Sequence, residues 1–283
     1  MLWIIYPKSF ETQKSFAPET MCMAAKNEGL TYKLFYHEDF QIKHNKLFYK
    51  NNQITTFPKV ALMRCFNKVL MQFLEQMGTI TINNSNAAST VRNKLKTYEL
   101  AKKLQIKIPK TLPIKNHNFK TLAKKLSLPF VLKDNFGMQG KYVFLINNEI
   151  EYNNVLSENR NITFIAQKFI KKSKGKDIRL YVVGNKVVSS IMRLSQAGDF
   201  RSNISQGGTS ELFNVPDFVK IQSLQLAKKI GLEICSIDFL FDGQSYFFCE
   251  GNSNAGFSAF FAHGINMQQK FMTHIKEKYL QKL

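Results

Sequence analysis

The sequence predicts a mixed α/β (α+β) fold, and two alternations of apolar runs support this class. Near the start, Leu2 to Tyr6, a helix-compatible stretch from about Glu19 to Glu28, and Tyr32 to Tyr36 give strand, helix, strand. Further along, Asp177 to Val183 and Lys186 to Ile191 flank a Gly-Asn pair, the pattern of two strands joined by a turn. The 283 residues predict two or three packed units, because a typical domain holds ~100–150 residues.

The first part of the chain extends this α/β layer. We expect a strand at Lys59 to Arg64, a helix at Asn67 to Met77 and a short strand at Thr79 to Ile82. The polar run Asn83-Asn84-Ser85-Asn86 then marks the first boundary.

In the middle part, Ala88 to about Gln105 has a helical pattern, with Lys94, Lys96, Lys102 and Lys103 interpreted as solvated. Pro129 to Lys133 and Tyr142 to Ile146 predict a β-hairpin around a glycine-bearing loop. The other elements that we expect in this middle part are a helix at Thr121 to Leu126 and a strand at Thr163 to Ile170.

The last part closes with elements of both kinds. A helix at about Val219 to Ile230 ends at Gly231, and two strands, Glu233 to Phe241 and Ser245 to Glu250, flank a short turn. A basic helix begins at about Met267.

The charge balance bounds the possible partners. Forty Lys and Arg against twenty Asp and Glu give a formal net charge of +20, which attracts nucleotides, nucleic acids, anionic lipid or acidic peptides. The alternative is that an AT-rich genome raises the lysine content everywhere, since the lysines are spread along the chain. The four cysteines show no CxxC pairing, and the apolar start is too short for a membrane span, so we predict a cytoplasmic protein.

Polar side chains at the end of the last two strands predict a metal site. Asp238 lies within an apolar strand, and Glu250 and Asn252 end the strand that pairs with it. Antiparallel strands joined by a short turn bring such positions together. Two carboxylates and an amide oxygen are hard donors of the kind that Mg²⁺ prefers, whereas an unpartnered Asp in an apolar strand is costly. The alternative is a surface carboxylate pair without a metal.

Two glycine-bearing segments are candidates for binding anions. Glycines let a backbone approach a ligand closely, and Arg and Asn side chains donate hydrogen bonds to anionic oxygens. The first segment is Gly198-Asp199-Phe200-Arg201-Ser202-Asn203, with Gly207-Gly208 after it and Arg193 upstream near a strand end. The second follows Lys133 and reads Gly137-Met138-Gln139-Gly140-Lys141. This second segment does not match the Walker pattern, so a P-loop is rejected.

In this order the segments resemble the ATP-grasp superfamily, specifically its RimK-like ligases of the alpha-L-glutamate ligase type. The run Gly198 to Asn203 matches the family's GDFRSN box letter for letter. The run Gln167 to Arg179 resembles the hinge strand and GxDIR segment, while Asp238 and Glu250-Gly251-Asn252 match the metal-binding Asp and Glu-x-Asn. The resemblance is tight from about Asn93 to Gly256 and only architectural over the first 85 residues.

The resemblance implies an ATP-grasp fold with three parts. These are an N-terminal α/β pre-ATP-grasp domain at 1–86, a central lid domain at 87–168, and a C-terminal mixed or antiparallel-sheet domain at 169–283 that carries the magnesium and phosphate site.

The resemblance also implies how ATP binds. Lys133 would contact the phosphates, together with lid-loop residues Gly137, Gln139, Gly140 and Lys141. The backbone of Lys168 and Phe169 would hold the adenine edge, and Asp177 would bind the ribose. Two positions depart from the family's pattern: Lys168 where relatives often carry Glu, and Lys141 where they tend to have a smaller or apolar residue.

The remaining carried-over roles concern the metal and the chemistry. Asp238, Glu250 and Asn252 would hold two Mg²⁺ ions, for which Mn²⁺ can substitute, with Glu250 bridging. Arg201, Ser202 and Asn203 would line the phosphate and acyl-transfer region, and the candidate catalytic residues are Arg201, Arg193 and Asn203. Arg201 would stabilise the tetrahedral oxyanion, and Arg193 would bind the acceptor carboxylate or share that role.

The implied function is an ATP-dependent carboxylate–amine ligase that forms an amide bond through an acyl phosphate. It would add glutamate or another amino acid to a peptide, protein or small molecule, and the positive charge favours an acidic acceptor. The resemblance further implies a homo-oligomer, a dimer or tetramer, without a membrane partner. Two alternatives remain open: a nucleic-acid-binding protein that uses the basic surface, and an ATP-grasp scaffold that has lost activity.

Overall fold

The computed structural model describes residues 1–137, 140–195, 200 and 208–281. In this part of the chain, four sheets and ten α-helices form a mixed α/β structure, as the sequence predicts.

The first sheet is parallel and has the strand order β2-β1-β6-β7. Its strands are β1 Leu2–Tyr6, β2 Tyr32–Tyr36, β6 Val60–Met63 and β7 Ile80–Ile82. All residues of β1 and β6 are buried, as expected for central parallel strands covered on both faces. The helices of this part are α1 Ser9–Thr12, α2 Phe16–Asn27 and α3 Lys68–Gln76. Ser15 caps α2 and Asn67 caps α3, so each helix begins where a side chain accepts from its first turn.

A three-stranded antiparallel sheet between β2 and β6 is absent from the sequence prediction. Its strands are β3 Phe40–Lys43, β4 Lys46–Tyr49 and β5 Asn52–Ile54. Both connections are two-residue turns, and their four residues, His44, Asn45, Lys50 and Asn51, all have positive φ. Such turns usually carry glycine, and neither of these does, so the ordinary hairpin signal is missing.

The predicted helix from Ala88 to Gln105 is wrong in its extent, because it is two helices. These are α4 Ser85–Val91 and α5 Lys94–Lys103. The break falls at Arg92 and Asn93, where the Asn93 side chain accepts from the Lys96 backbone and caps α5.

The second sheet is antiparallel, with the order β10-β9-β11-β8. Its strands are β8 Thr111–Pro113, β9 Phe130–Asp134, β10 Val143–Ile146 and β11 Phe164–Lys168. The predicted hairpin is confirmed, since β9 and β10 pair from Lys133 with Val143 to Phe130 with Ile146. Helices α6 Phe119–Leu126 and α7 Glu149–Glu158 pack on one face, and α7 was not predicted.

The third sheet has five antiparallel strands in the order β14-β13-β12-β15-β16. They are β12 Lys176–Val183, β13 Lys186–Leu194, β14 Thr209–Leu212, β15 Ile234–Phe241 and β16 Tyr246–Asn252. The helices after β14 are α8 Asp217–Ile230, α9 Ser258–Phe261 and α10 Met267–Ile275. Gly231 ends α8 in the left-handed conformation, φ +88°, as its position after the helical pattern predicts.

One hydrophobic core joins both ends of the chain. It contains Leu2, Ile4 and Leu62 of the first sheet together with Tyr181 of β12 and Phe271 of α10. The division of the chain at residues 86 and 168 stays a prediction. The four cysteines are free thiols. Across the described ranges, no helix combines the length and the apolar character needed to cross a membrane.

Candidate active site

Strands β15 and β16 bring the three predicted metal ligands together. Asp238 lies directly opposite Glu250 in the antiparallel register. The Asn252 amide nitrogen is 3.3 Å from a Glu250 carboxylate oxygen and 3.5 Å from one of Asp238. The irregularity in the register between Asp238 and Phe239 falls at this point, where a bulge can redirect a side chain.

Asp238 is fully buried and held by two arginines. The Arg179 guanidinium donates to both carboxylate oxygens, at 2.9 and 2.6 Å, and Arg193 donates to one of them at 2.9 Å. These contacts follow from the register, because Arg179 on β12 is the direct cross-strand partner of Asp238. Burial pushes the pKa of Asp238 up, but Arg179 and Arg193 outweigh it and hold that pKa below its ordinary value.

Asp177 and Arg193 form the neighbouring cross-strand pair. Arg193 on β13 lies opposite Asp177 on β12, and its guanidinium donates to both Asp177 oxygens, one of them at 2.7 Å. Both residues are buried. The ribose contact of Asp177 and the acceptor or oxyanion role of Arg193 stay predictions. Each side chain is engaged in a buried ion-pair network that also contains Asp238.

The interpretation of Lys94 as a solvated helix lysine is wrong. Its relative exposure is 7%, and its ammonium group donates to the backbone carbonyl of Gly137 at 2.5 Å and lies 3.9 Å from a Glu250 oxygen. Burial lowers the pKa of Lys94, and the attraction of Glu250 opposes this shift. A lysine at the first position of a helix carries no sequence signal for burial, so only the tertiary structure identifies this cation beside the candidate metal site.

Lys133 is also buried, at 5% exposure, and its ammonium donates to the Tyr98 hydroxyl at 2.8 Å. Tyr98, which the sequence analysis did not single out, connects three strands. Its hydroxyl accepts from Lys133 on β9 and from the Gln167 amide on β11 at 3.1 Å, and donates to the Cys249 carbonyl on β16 at 2.7 Å. Tyr98 on α5 therefore links Lys133 to β16 at Cys249, the residue before Glu250.

The other predicted nucleotide contacts lie along the edge of the second sheet. The Lys168 N–H donates to the Lys110 carbonyl at 2.8 Å, and the adenine contact of the Lys168 and Phe169 backbone stays a prediction. The Phe169 ring is 6.2 Å from that of Phe200, edge to face. Gly137 receives the Lys94 hydrogen bond, Gly140 has φ +71°, and the Lys141 side chain is exposed.

Several predicted site residues lie outside the described residues. They are Gln139 of the lid loop and Arg201, Ser202 and Asn203 of the glycine-bearing box. Their assigned contacts with phosphate and with the acyl-transfer region stay predictions.

The segment after β16 is held by the carboxyl ends of two strands of the first sheet. Asn83 donates to the carbonyls of Ser253 and Ile234, at 2.9 and 2.7 Å, and its side-chain oxygen accepts from the Glu233 and Ile234 backbone. Arg64 is buried between the rings of Phe257 and Phe271 and donates to the Ala255 carbonyl at 3.0 Å. The N-terminal sheet thus sets the position of the chain immediately beyond Asn252.

The residues at this site fit magnesium. Hard oxygen donors are available from two carboxylates and one amide, and Lys94 supplies a nearby cation for phosphate. Glu250 has no arginine partner among the described residues, and its side chain is 28% exposed, so its oxygens are accessible to an ion. Within the same described ranges, no group of three or more His, Cys, Asp or Glu forms a metal cluster, so Asn252 would complete the set.

The model of the RimK-like ATP-grasp domain family matches residues 91–275. The chain belongs to this family. The match covers the helix that carries Lys94 and Tyr98, the second sheet, and the third sheet with Asp238 and Glu250.

Two relatives of this RimK-like chain are named as a synthase and as a probable ligase. It is 31% identical over 221 residues to human N-acetylaspartylglutamate synthase A, covering 73% of this chain and 56% of that protein. It is 29% identical over 233 residues to a probable alpha-L-glutamate ligase of Vibrio vulnificus strain YJ016, covering 79% and 77%. The chain thus spans little more than half the length of the human relative.

A solved structure confirms the fold predicted for this RimK-like chain. It is the ATP-grasp ligase PsnB complexed with minimal precursor, Mg and ADP, with a TM-score of 0.73, 14% identity and coverage of 98% of this chain and 97% of that chain. The likeness extends over the N-terminal sheet, where the sequence resemblance was only architectural.

Proposed function

We propose that the chain is an ATP-dependent carboxylate–amine ligase that forms an amide bond and releases ADP and phosphate. Membership of the RimK-like ATP-grasp family supports this assignment. The observation that carries it is the meeting of Asp238, Glu250 and Asn252 with the buried cation Lys94 at one edge of the third sheet. This set provides anionic ligands for a metal and a positive group for phosphate in one place.

The chemistry begins with two anions that must approach each other. An oxygen of the substrate carboxylate attacks the γ-phosphorus of ATP, the bond to the β-phosphate oxygen breaks, and ADP leaves an acyl phosphate. An amine then attacks the acyl carbon, loses a proton, and expels inorganic phosphate. Lys94 and Lys133 neutralise phosphate charge, and their burial makes each interaction stronger than it would be in water.

Asp238, Glu250 and Asn252 would hold Mg²⁺, which supplies further neutralisation of the phosphate oxygens when bound. Asp238 is oriented by Arg179 and Arg193, so its position is fixed before any ion arrives. Glu250 has no arginine partner in the described part of the chain, so its carboxylate would be available to hold metal ions, two in our proposal.

The substrates we propose are glutamate or another amino acid and an acidic peptide, protein or small-molecule acceptor. The names of two relatives, an N-acetylaspartylglutamate synthase and a probable alpha-L-glutamate ligase, support glutamate. The net charge of +20 supports an acidic acceptor, because a positive field attracts it. A homo-oligomeric state and a cytoplasmic location stay predictions.

A screen for ADP release tests the proposal. The chain is incubated with ATP, Mg²⁺ and single amino acids, each with and without a set of glutamate-rich peptides, and products are identified by mass spectrometry. We expect ADP release that depends on both substrates and a product heavier by one amino-acid residue. ADP release at the same rate without any amine, or no release with any pair, counts against a ligase. A parallel reaction without ATP is the control.

A further inference from the structure

Six exposed lysines gather where the second and third sheets meet, away from the Lys94–Glu250 contact. We call this group the lysine surface. Its members are Lys107, Lys110, Lys168, Lys171, Lys172 and Lys174.

Hydrogen bonds and short contacts link the segments that carry these lysines. The Lys107 ammonium donates to the Ser245 hydroxyl at 2.9 Å, and Lys172 approaches Gly243 of the same turn. Lys107 and Lys172 both act on Asp242, whose pKa lies below its ordinary value because backbone N–H groups donate to it and, to a smaller extent, because of these two cations. The turn between β15 and β16 is therefore flanked by lysines from two other segments.

The rest of the surface continues from this turn. Lys110 and Lys168 are joined through the backbone, since the Lys168 N–H donates to the Lys110 carbonyl. Lys171 and Lys172 belong to the 3₁₀ turn after β11, which is fixed to β15 because the Ser173 hydroxyl accepts from the Phe241 N–H at 3.1 Å. The six cations therefore sit on backbone segments that are bonded to one another.

These charges are not neutralised by ion pairs in the part of the chain that the structure describes. None of the six ammonium groups there lies within 4.0 Å of a carboxylate, although Lys8, Lys94 and Lys220 form such pairs. Like charges on linked segments repel one another, and an anionic partner would relieve the repulsion.

We propose that the lysine surface is a docking site for an acidic polypeptide, namely the glutamate-rich acceptor or product of the ligase. This inference rests on the proposed function and assigns a second contact region to its acceptor. All six cations are lysines, whose compact charges on flexible stems suit carboxylates without a fixed geometry. Phosphate recognition would favour arginine forks, and single-stranded nucleic acid would favour free aromatic faces. The nearby Phe241 ring is instead stacked on Tyr246, with centroids 4.6 Å apart.

The distance between the lysine surface and the candidate metal site can be spanned by a peptide. Phe241 lies three residues beyond Asp238 on β15, and at ~3.4 Å per residue the surface begins about 10 Å from the candidate metal site. An extended segment of about three residues spans this distance. An acceptor whose end reaches the site could therefore keep preceding acidic residues on the lysines.

Binding of a fluorescein-labelled deca-glutamate peptide to the full chain tests the proposal, measured by anisotropy without ATP at low ionic strength. The variant is Lys171→Glu with Lys172→Glu, and the matched control is Lys228→Glu with Lys229→Glu, two exposed lysines in the last turn of α8. Both double variants lower the net charge equally. We expect the first to bind about tenfold more weakly and the control to stay within about twofold, with both affinities falling as salt rises.

Equal losses in the two variants would overturn the proposal, because net charge alone would then explain binding. A ten-nucleotide poly-uridine that binds more tightly than the peptide, with the same dependence on Lys171 and Lys172, would replace the acidic polypeptide by nucleic acid. ADP release with a free amino acid as acceptor separates the two proposals. The Lys171→Glu, Lys172→Glu variant should keep this activity. If the unaltered chain itself shows no ADP release with any free amino acid, the ligase assignment fails.

Discussion

At the scale of single residues, Asp238 and Glu250 lie opposite each other yet differ in what holds them. Asp238 is buried and balances Arg179 and Arg193, while Glu250 is partly exposed and, among the described residues, has Lys94 as its nearest cation. Replacing the carboxylate by an amide should therefore affect stability differently at the two positions. Variants at this site can thus distinguish a loss of activity from a loss of stability.

We predict that Glu250→Gln lowers ligation at least about 100-fold and changes the free energy of unfolding by less than ~1 kcal/mol. Asp238→Asn should lower activity as much but also destabilise the fold by about 3 kcal/mol or more, because it leaves the largely buried Arg179 without its carboxylate partner. ADP release and urea denaturation measure the two quantities. Full ligation by Glu250→Gln would remove this residue from the metal site.

Tyr98 offers a second test at this scale. Tyr98→Phe leaves the Lys133 ammonium and the Gln167 amide without their shared acceptor, so we expect a loss of about 1–3 kcal/mol in unfolding free energy. Tyr152→Phe is the control, since Tyr152 is buried in the core of the second sheet and its hydroxyl has no hydrogen bond within the described ranges. Equal stability of the two variants in urea would mean that the Tyr98 hydroxyl does not contribute to the stability of the fold.

At the scale of elements, the sequence predicted those features that the local pattern of residues determines, such as the pairing of two strands joined by a short turn. Asp238, Glu250 and Asn252 were correctly expected to converge, because two strands joined by a short turn leave little choice of register. The prediction that Lys94 is solvated was wrong, and the role of Tyr98 was missed. A helical pattern does not reveal which polar side chains the tertiary structure buries. The same limit explains the missed sheet of β3, β4 and β5, whose turns lack glycine.

The contact between β7 and the segment after β16 leads to a prediction for Asn83. Asn83→Ala removes side-chain hydrogen bonds to Glu233, Ile234 and Ser253 and leaves buried backbone groups without partners. We expect a loss of about 3 kcal/mol in unfolding free energy and a higher Mg²⁺ concentration for half-maximal ADP release, since the chain beyond Asn252 loses one of its anchors and keeps Arg64.

Asn153→Ala, at an exposed position of α7, is the comparison for Asn83. It should leave both the unfolding free energy and the Mg²⁺ dependence unchanged. If Asn83→Ala lost stability without any change in Mg²⁺ dependence, the strand end would support the fold alone and not the candidate site.

At the scale of the whole molecule, the last turns of the chain are tied to the third sheet through Glu233. Burial pushes the pKa of Glu233 up, but hydrogen bonds from His274, Tyr279 and Lys278 outweigh it and hold that pKa below its ordinary value. A carboxyl with a depressed folded pKa contributes stability above its unfolded pKa, about 4.3, and this contribution is lost as the pH falls through the folded value.

We therefore predict that the unaltered chain loses stability more steeply below about pH 4.3 than Glu233→Gln does. Urea denaturation at a series of pH values measures this slope. Glu158→Gln, an exposed change on α7, controls for the loss of one negative charge. Parallel curves for the unaltered chain and Glu233→Gln would mean that Glu233 does not contribute to acid sensitivity.

The core shared by the two ends of the chain also has a consequence for synthesis. Helix α10 packs on α2, where Glu28 accepts from Gln269 and Thr273, and Phe271 fills the same core as Leu2 and Ile4. A ribosome adds roughly 5–20 residues per second, so the N-terminal strands must wait on the order of ten seconds or more for the helix that covers them. During that interval their apolar side chains are available to chaperones or to other nascent chains. The N-terminal strands should therefore be most prone to aggregation before α10 leaves the ribosome.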